Sequence, residues 1–462
     1  MSNPHTEAPD VAARRAPLSL NQDFLCMYDK GDDEGPFGPR YHIVHGWRIR
    51  GAVDVESLQG ALDDVVARHE ALRTIVVRTP EERYQAIRPD AAAVQLIIRD
   101  LSVVPEGERD AVAEQLLIEA EADTFPSTEL PLLRAVLVRF DDSNSVLVLI
   151  SHHTATDGWS MRLIIRDLAN RYAARRGFDV PALPDPRQYR EFADWQRELV
   201  NDPVRMAEPG QFWQESLDGG RVFTVQLDRP RSAAAETTTA MHRFAIGADV
   251  IAPALKLGRA TRSSPFMVLF AAFAVLAERL GGNPDVVVPT FTPGRGDEEF
   301  PYTVGSFFNF MPIRVDLAGC RSFRDVVIAT RDVCVESYSH DVPQILAHAP
   351  ELMMPAVADD RAPCVFQVFA FPFLLDQELI GDLEYTEIRH RLVSQPLVSD
   401  VPDGALWTLN LDPSGEVVGG VAYKSGLFDE ATVAGWVTGF QEVLRDMLVD
   451  PDAARDSVGV AA

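Results

Sequence analysis

The sequence predicts an α/β protein built from two domains or lobes. Three observations carry this. The chain has 462 residues, too many for one ordinary core and suited to two domains of about 200 residues each. The first half opens with a strand-like stretch, a helical stretch and a β-branched stretch, and the second half repeats that style with a capped helix leading into a buried strand. Hydrophobic residues make up 46% and charged residues 24%, so each half has enough apolar side chain for its own core.

Residues 1–16 are polar and rich in Pro and Ala, and are expected to form a disordered lead-in. Tyr41–Gly51 (YHIVHGWRIRG) reads as a strand. Asp54–Ala71 places Leu58, Leu62, Val65 and Val66 at helical spacing, and LRTIVVRT follows as a second strand. A helix is expected over Arg109–Glu121. Leu132–Phe140 and Ser145–Ser151 read as strands joined by a DDSN turn. Beyond Gly158, the residues Met161, Ile164, Ile165, Leu168 and Tyr172 recur as one helical stripe that ends near Arg176. The stretch Arg176–Gln188 has three prolines and no periodicity. It predicts a linker at 177–188 between an N-terminal lobe (17–176) and a C-terminal lobe (189–455), with 456–462 as a tail. In the second half Ser264 caps and Pro265 starts a helix that stops at Gly281. A strand (Asp285–Thr290), a helix (Phe323–Ser337), strands near Cys364–Phe371 and Trp407–Leu411, and a closing helix (Asp429–Leu448) complete the reading.

The net charge of −26 argues against nucleic acid and anionic membranes as partners, because both need clustered Lys and Arg. Arg162, Arg166, Arg171, Arg175 and Arg176 lie along one predicted helix. They are expected to form a solvated face offset by neighbouring acids; the sharper alternative is a docking surface for an acidic carrier protein. Cys26, Cys320, Cys334 and Cys364 show no CxxC spacing and read as reduced thiols. The N-terminus has no apolar export segment and the longest apolar helical run, Phe266–Ala277, is short of a membrane span, which predicts a cytoplasmic location.

The segment with the most chemistry is His152-His153-Thr154-Ala155-Thr156-Asp157-Gly158, on a strand-to-helix connection. An imidazole titrates near neutrality, so a positioned histidine takes a proton from an attacking amine or hydroxyl and returns it to a leaving group. Asp157 orders the turn strongly only if an arginine meets it. Gly158 permits a close backbone approach or a positive φ. A metal needs three or four converging ligands, and no HExxH or Cys/His cluster completes a set, so no metal is expected. No GxSxG elbow or Cys/His signature supports a covalent intermediate. Direct transfer from a pre-activated acyl donor remains.

The segment SHHTATDGWS resembles the HHxxxDG signature of the condensation-domain and chloramphenicol-acetyltransferase-like superfamily. PLSLNQ (Pro17–Gln22), RHEALRT (Arg68–Thr74), YREFADWQ (Tyr189–Gln196) and VGSFFNFMPIRVDL (Val304–Leu317) are similar to the family's first, second, fourth and fifth motifs, in family order. LFDEATVAGWVTGFQEVLRDML resembles the usual ending. The chain is thus identified as a condensation enzyme of the nonribosomal-peptide type, read as free-standing.

The resemblance implies two chloramphenicol-acetyltransferase-like lobes in a V-shaped pseudo-dimer with a central substrate tunnel. It makes His153 the catalytic histidine, His152 its supporting neighbour, and Asp157 a structural carboxylate held by Arg295, Arg68 or Arg73, with Arg295 favoured. Backbone amides near Gly158 would stabilise an oxyanion, and Trp159 and Asn309 are candidates for the tunnel, though Trp159, Trp195 and Tyr189 also suit packing of the motif loop. No cofactor is expected. The donor would be an acyl thioester on the phosphopantetheine of a carrier protein acting in trans, and the acceptor a small-molecule or carrier-bound amine or hydroxyl. A CoA-dependent acyltransferase and a non-catalytic recruitment domain are the alternatives. The chain departs from the family at Asn309-Phe310, at His340-Asp341-Val342-Pro343 and at Ser399–Trp407, where no DFGWG-like segment stands.

Overall fold

The computed structural model describes residues 13–455 apart from 91, 182, 234–237, 296–298, 344, 349–351, 353–359, 372 and 402. The expected tail at 456–462 and most of the expected lead-in therefore lie outside the described residues. In chain order the elements begin with β1 (Arg14–Ala16), α1 (Leu20–Cys26), β2 (His42–Arg50), α2 (Val55–Arg68), β3 (Thr74–Arg78) and β4 (Arg83–Ile87). Then come β5 (Gln95–Asp100), α3 (Arg109–Ala122), β6 (Leu133–Asp141), β7 (Asn144–His152), α4 (Gly158–Arg175), α5 (Tyr189–Val200) and α6 (Pro203–Leu217). The remainder holds β8 (Thr224–Gln226), β9 (Thr239–Ile246), α7 (Ala248–Thr261), α8 (Pro265–Gly281), β10 (Asp285–Thr292), β11 (Asn309–Asp316) and α9 (Phe323–Ser339). It closes with β12 (Arg361–Phe369), β13 (Glu378–Ile380), β14 (Leu383–Glu387), β15 (Ala405–Leu411), β16 (Val417–Lys424) and α10 (Glu430–Val449).

These elements form two compact units, one from 1–198, 295–307 and 371–388, the other from 199–294, 308–370 and 389–462. The division differs from the sequence expectation. Residues 177–188 lie inside the first unit, and two late segments, 295–307 and 371–388, return to it. Composition marks a proline-rich loop but carries no record of which core a distant segment joins. The lead-in is also shorter than expected, because Arg14–Ala16 pairs antiparallel with β4.

The first unit is organised by a six-stranded mixed sheet of order β13-β14-β2-β7-β6-β5. Every residue of β7 is buried. Its Leu147 and Leu149 pack with Leu62, Val65, Ile164 and Leu168 of α2 and α4, while Val146, Val148 and Ile150 pack with Leu117 and Phe140 on the opposite face. A strand covered on both faces reads as an unbroken apolar run, which is why SVLVLIS is legible as one. The β-α-β opening is present as elements, yet β3 joins β1 and β4 in a separate three-stranded sheet.

The second unit holds a five-stranded sheet of order β8-β12-β15-β16-β9 and the antiparallel pair β10-β11. Its core centres on α8, buried continuously from Met267 to Ala277, with Phe273, Phe366, Trp407 and Phe440 in mutual ring contact. Among the described residues no single helix is long and apolar enough to cross a membrane; α7 and α8 reach that length only together and are bent by 106°.

Candidate active site

The sheet delivers the paired histidines to the end of β7, and the chain turns through Thr154–Thr156 into α4. His152 is fully buried. Its Nε2–H donates to the Gly38 carbonyl at 3.1 Å, and its Nδ1 accepts from the Thr154 hydroxyl at 2.8 Å. Both ring nitrogens are committed, and burial lowers its pKa to about 3. His152 holds the loop and has no nitrogen left for a substrate.

His153 is different. Its Nδ1 lies 2.8 Å from the Thr156 carbonyl. A carbonyl only accepts, so Nδ1 carries the proton and Nε2 presents a lone pair. Burial lowers the pKa, which keeps the ring neutral near pH 7 and ready to accept a proton. The His153 amide donates to the Tyr41 carbonyl at 2.8 Å, and the two rings stack at 4.7 Å with 16° between planes. Sequence reading missed Tyr41, because its place beside His153 follows from the antiparallel register of β2 and β7, which pairs His42 with His152.

Asp157 caps α4 by accepting from the Ser160 amide at 2.6 Å. Arg295 is the arginine that meets it: Nη2 donates to both carboxylate oxygens at 3.0 and 3.1 Å and reaches the Ser160 hydroxyl at 3.1 Å. Nη1 donates to the carbonyls of Phe300 and Thr303, and the guanidinium lies 4.0 Å over the Phe307 ring. Arg68 and Arg73 do not take part. Arg68 pairs with Asp167 and Asp185, and Arg73 donates to the Arg88 carbonyl.

The quoted motifs meet around this anchor. Ser19 and the Ser306 carbonyl both bond the Tyr189 hydroxyl, Asn21 donates to the Ser306 carbonyl and accepts from Gln196, and the Ser160 hydroxyl exchanges bonds with Gly305. The second motif joins through His69, whose Nε2 lies 3.1 Å from Asp167 on α4. Gly305 has no alternative, since a Cβ there would sit 2.0 Å from Tyr189 Cδ2. Gly305→Ala should therefore destabilise the protein by about 1–3 kcal/mol or more, read as a fall in the urea unfolding midpoint.

Gly158 does not adopt a positive φ. Its use is close approach: a Cβ would sit 2.9 Å from the Phe371 ring. Trp159 donates its indole N–H to the Pro301 carbonyl and packs edge-on to Phe373, a packing role that fits the loop. Asn309 belongs to the second unit, where its amide donates to the Asp341 carboxylate and the Val342 carbonyl; two of the family departures are thus bonded to each other. The arginine row of α4 is spent on ion pairs: Arg162 with buried Glu387, Arg166 with Glu378, Arg171 with Asp167, Arg175 with Asp64 and Arg176 with Asp382. The row is neutralised by acids as expected, but it is not solvated throughout, because Arg162 is buried.

Among the described residues no group of His, Cys, Asp or Glu side chains is arranged to hold a metal. The four cysteines are free thiols, and burial pushes Cys334 and Cys364 up to about 12, so neither is a thiolate at neutral pH. His152 has a consequence for acid stability. Its folded pKa lies below the ordinary value of 6.5, so the unfolded state binds the proton first and stability falls as pH drops from about 6.5 toward about 3. Urea midpoints measured across that range should fall less steeply for His152→Gln than for the unaltered chain.

A histidine at the end of a central strand, followed by a turn that a buried ion pair anchors to the start of a helix, on a mixed α/β fold, is the arrangement of a condensation-type domain. The chain belongs to the condensation-domain family, whose model matches residues 35–461. It is 46% identical to SgcC5 from Streptomyces globisporus, crystallised with (R)-(-)-1-(2-naphthyl)-1,2-ethanediol and sucrose, over 95% of this chain and 100% of that one, with a TM-score of 0.91. It is 25% identical to the X-domain from teicoplanin biosynthesis, over 99% of each chain, with a TM-score of 0.75. Among curated relatives, a linear gramicidin synthase of Brevibacillus parabrevis is 30% identical over 94% of this chain, and phosphinothricin tripeptide synthetase PhsC of Streptomyces viridochromogenes is 31% identical over 90%. The chain spans only 8% and 38% of the length of those two synthetases.

Proposed function

We propose that the protein transfers an acyl group from a carrier-protein phosphopantetheine thioester to a hydroxyl acceptor, forming an ester. The observation that carries the choice of acceptor is the likeness to SgcC5 at 46% identity across that whole chain. The aryl-ethanediol crystallised with SgcC5 offers two hydroxyls and no amine. In this reading His153 Nε2 accepts the hydroxyl proton as the oxygen attacks the thioester carbonyl. The tetrahedral intermediate then expels the pantetheine sulfur, and the imidazolium returns the proton to it. The first amides of α4, at Gly158 and Trp159, have no intrahelical partner and would stabilise the oxyanion; the Ser160 amide is taken by Asp157. No bound cofactor is required.

The test is a mass-spectrometric assay of the purified protein with an acyl-loaded carrier protein and either an aryl-1,2-ethanediol or the matching 2-amino alcohol, with acyl-CoA as the competing donor. Ester from the carrier-borne donor supports the proposal. Product from acyl-CoA at an equal rate would establish a soluble-thioester acyltransferase instead, and exclusive N-acylation would establish amide formation. The X-domain likeness supports one further reading, recruitment without chemistry; the X-domain has been solved in complex with OxyB. Absence of turnover with every donor and acceptor, together with tight binding of a partner enzyme, would favour it.

A further inference from the structure

We propose that Tyr41 is a positioning residue whose ring face stabilises the positive charge that develops on His153 during proton transfer. This rests on the reading of His153 as the base. The two aromatic rings are nearly parallel, 16° apart at 4.7 Å between centroids, within the range at which a cation is attracted to a ring face. The Tyr41 carbonyl also accepts from the His153 amide at 2.8 Å, so one residue fixes both backbone and ring. With Nδ1–H on the Thr156 carbonyl, the imidazole is held at its edge and on one face, leaving Nε2 for the substrate.

Beyond backbone bonds such as that to the Thr156 carbonyl, which favour the imidazolium, charge has few other sources of support there. His152 and His42 are the neighbouring titratable groups on β7 and β2, and burial lowers the pKa of each, so neither carries charge near neutrality. Asp157, on the α4 side, favours the imidazolium, but its two oxygens are engaged by Arg295 and the Ser160 amide. Burial raises the Tyr41 hydroxyl above its ordinary pKa, so the ring remains a neutral phenol across the working range.

The experiment compares Tyr41→Phe, which keeps the ring face, with Tyr41→Leu, which keeps bulk without it. Two readouts are taken: the NMR titration midpoint of His153, assigned by its loss in His153→Gln, and kcat and KM on the carrier-borne donor. Tyr41→Phe should leave both near those of the unaltered protein. Tyr41→Leu should lower the His153 midpoint and lower kcat by about 3- to 30-fold at unchanged KM. A midpoint that stays put or rises in Tyr41→Leu overturns the inference, because mere loosening admits water and raises it. A lowered midpoint with unchanged kcat overturns its catalytic half and points to failure of the base assignment. Should Tyr41→Leu not fold, Tyr41→Met takes its place with the same two outcomes.

Discussion

Replacing His153 with alanine should lower kcat by about a hundred- to ten-thousandfold while leaving the urea unfolding midpoint almost unchanged. The argument is geometric. Among the described residues Nε2 is the ring nitrogen left without a partner once Nδ1–H is placed on the Thr156 carbonyl, and burial keeps that nitrogen unprotonated at neutral pH. Truncation removes the proton acceptor but leaves the turn, whose Asp157 cap and Arg295 clamp do not pass through residue 153. The contrasting variant is His152→Ala. It strands the Gly38 carbonyl and the Thr154 hydroxyl in a fully buried site, so it should act on stability, by about 1–3 kcal/mol per unsatisfied group. Near-normal turnover by folded His153→Ala would remove the histidine from the chemistry.

How much of this is legible in the sequence depends on whether the information is local. The strand β7, the helix α4 with its Gly158 start, and the Ser264–Pro265 start of α8 are legible because caps and periodicity are written within a few residues. Short strands are not. β13 and β14 are three and five residues long, too short for a period to register, and their place in the sheet depends on pairing with β2. The same limit hides the unit boundaries and leaves three arginines open as partners for Asp157. Residue 295 reaches the anchor by a long-range return of the chain, and no spacing rule encodes that. Tyr41 is visible in the sequence as the first letter of a strand, and only the β2–β7 register makes it a neighbour of His153.

The Asp157–Arg295 pair should be costly to break on one side. Both groups are buried, and burial alone pushes the Arg295 pKa down while Asp157 holds it up. Arg295→Ala leaves Asp157 without its counter-charge and the Phe300 and Thr303 carbonyls without a donor, an expected loss of about 3–5 kcal/mol. Arg295→Lys should recover only a part, since one ammonium cannot serve the carboxylate and two carbonyls in the plane of a guanidinium. The double variant Asp157→Asn/Arg295→Met removes both charges and keeps much of the volume against Phe307 and Trp159. It should be more stable than Arg295→Ala, with a coupling of about 0.5–3 kcal/mol in the complete cycle with Asp157→Asn and Arg295→Met. Salt should change these differences little, because buried pairs are weakly screened. If Arg295→Ala unfolds at the same urea concentration as the unaltered protein, the pair is no anchor, and the placement of His153 must rest on His152, Tyr41 and the Thr156 carbonyl.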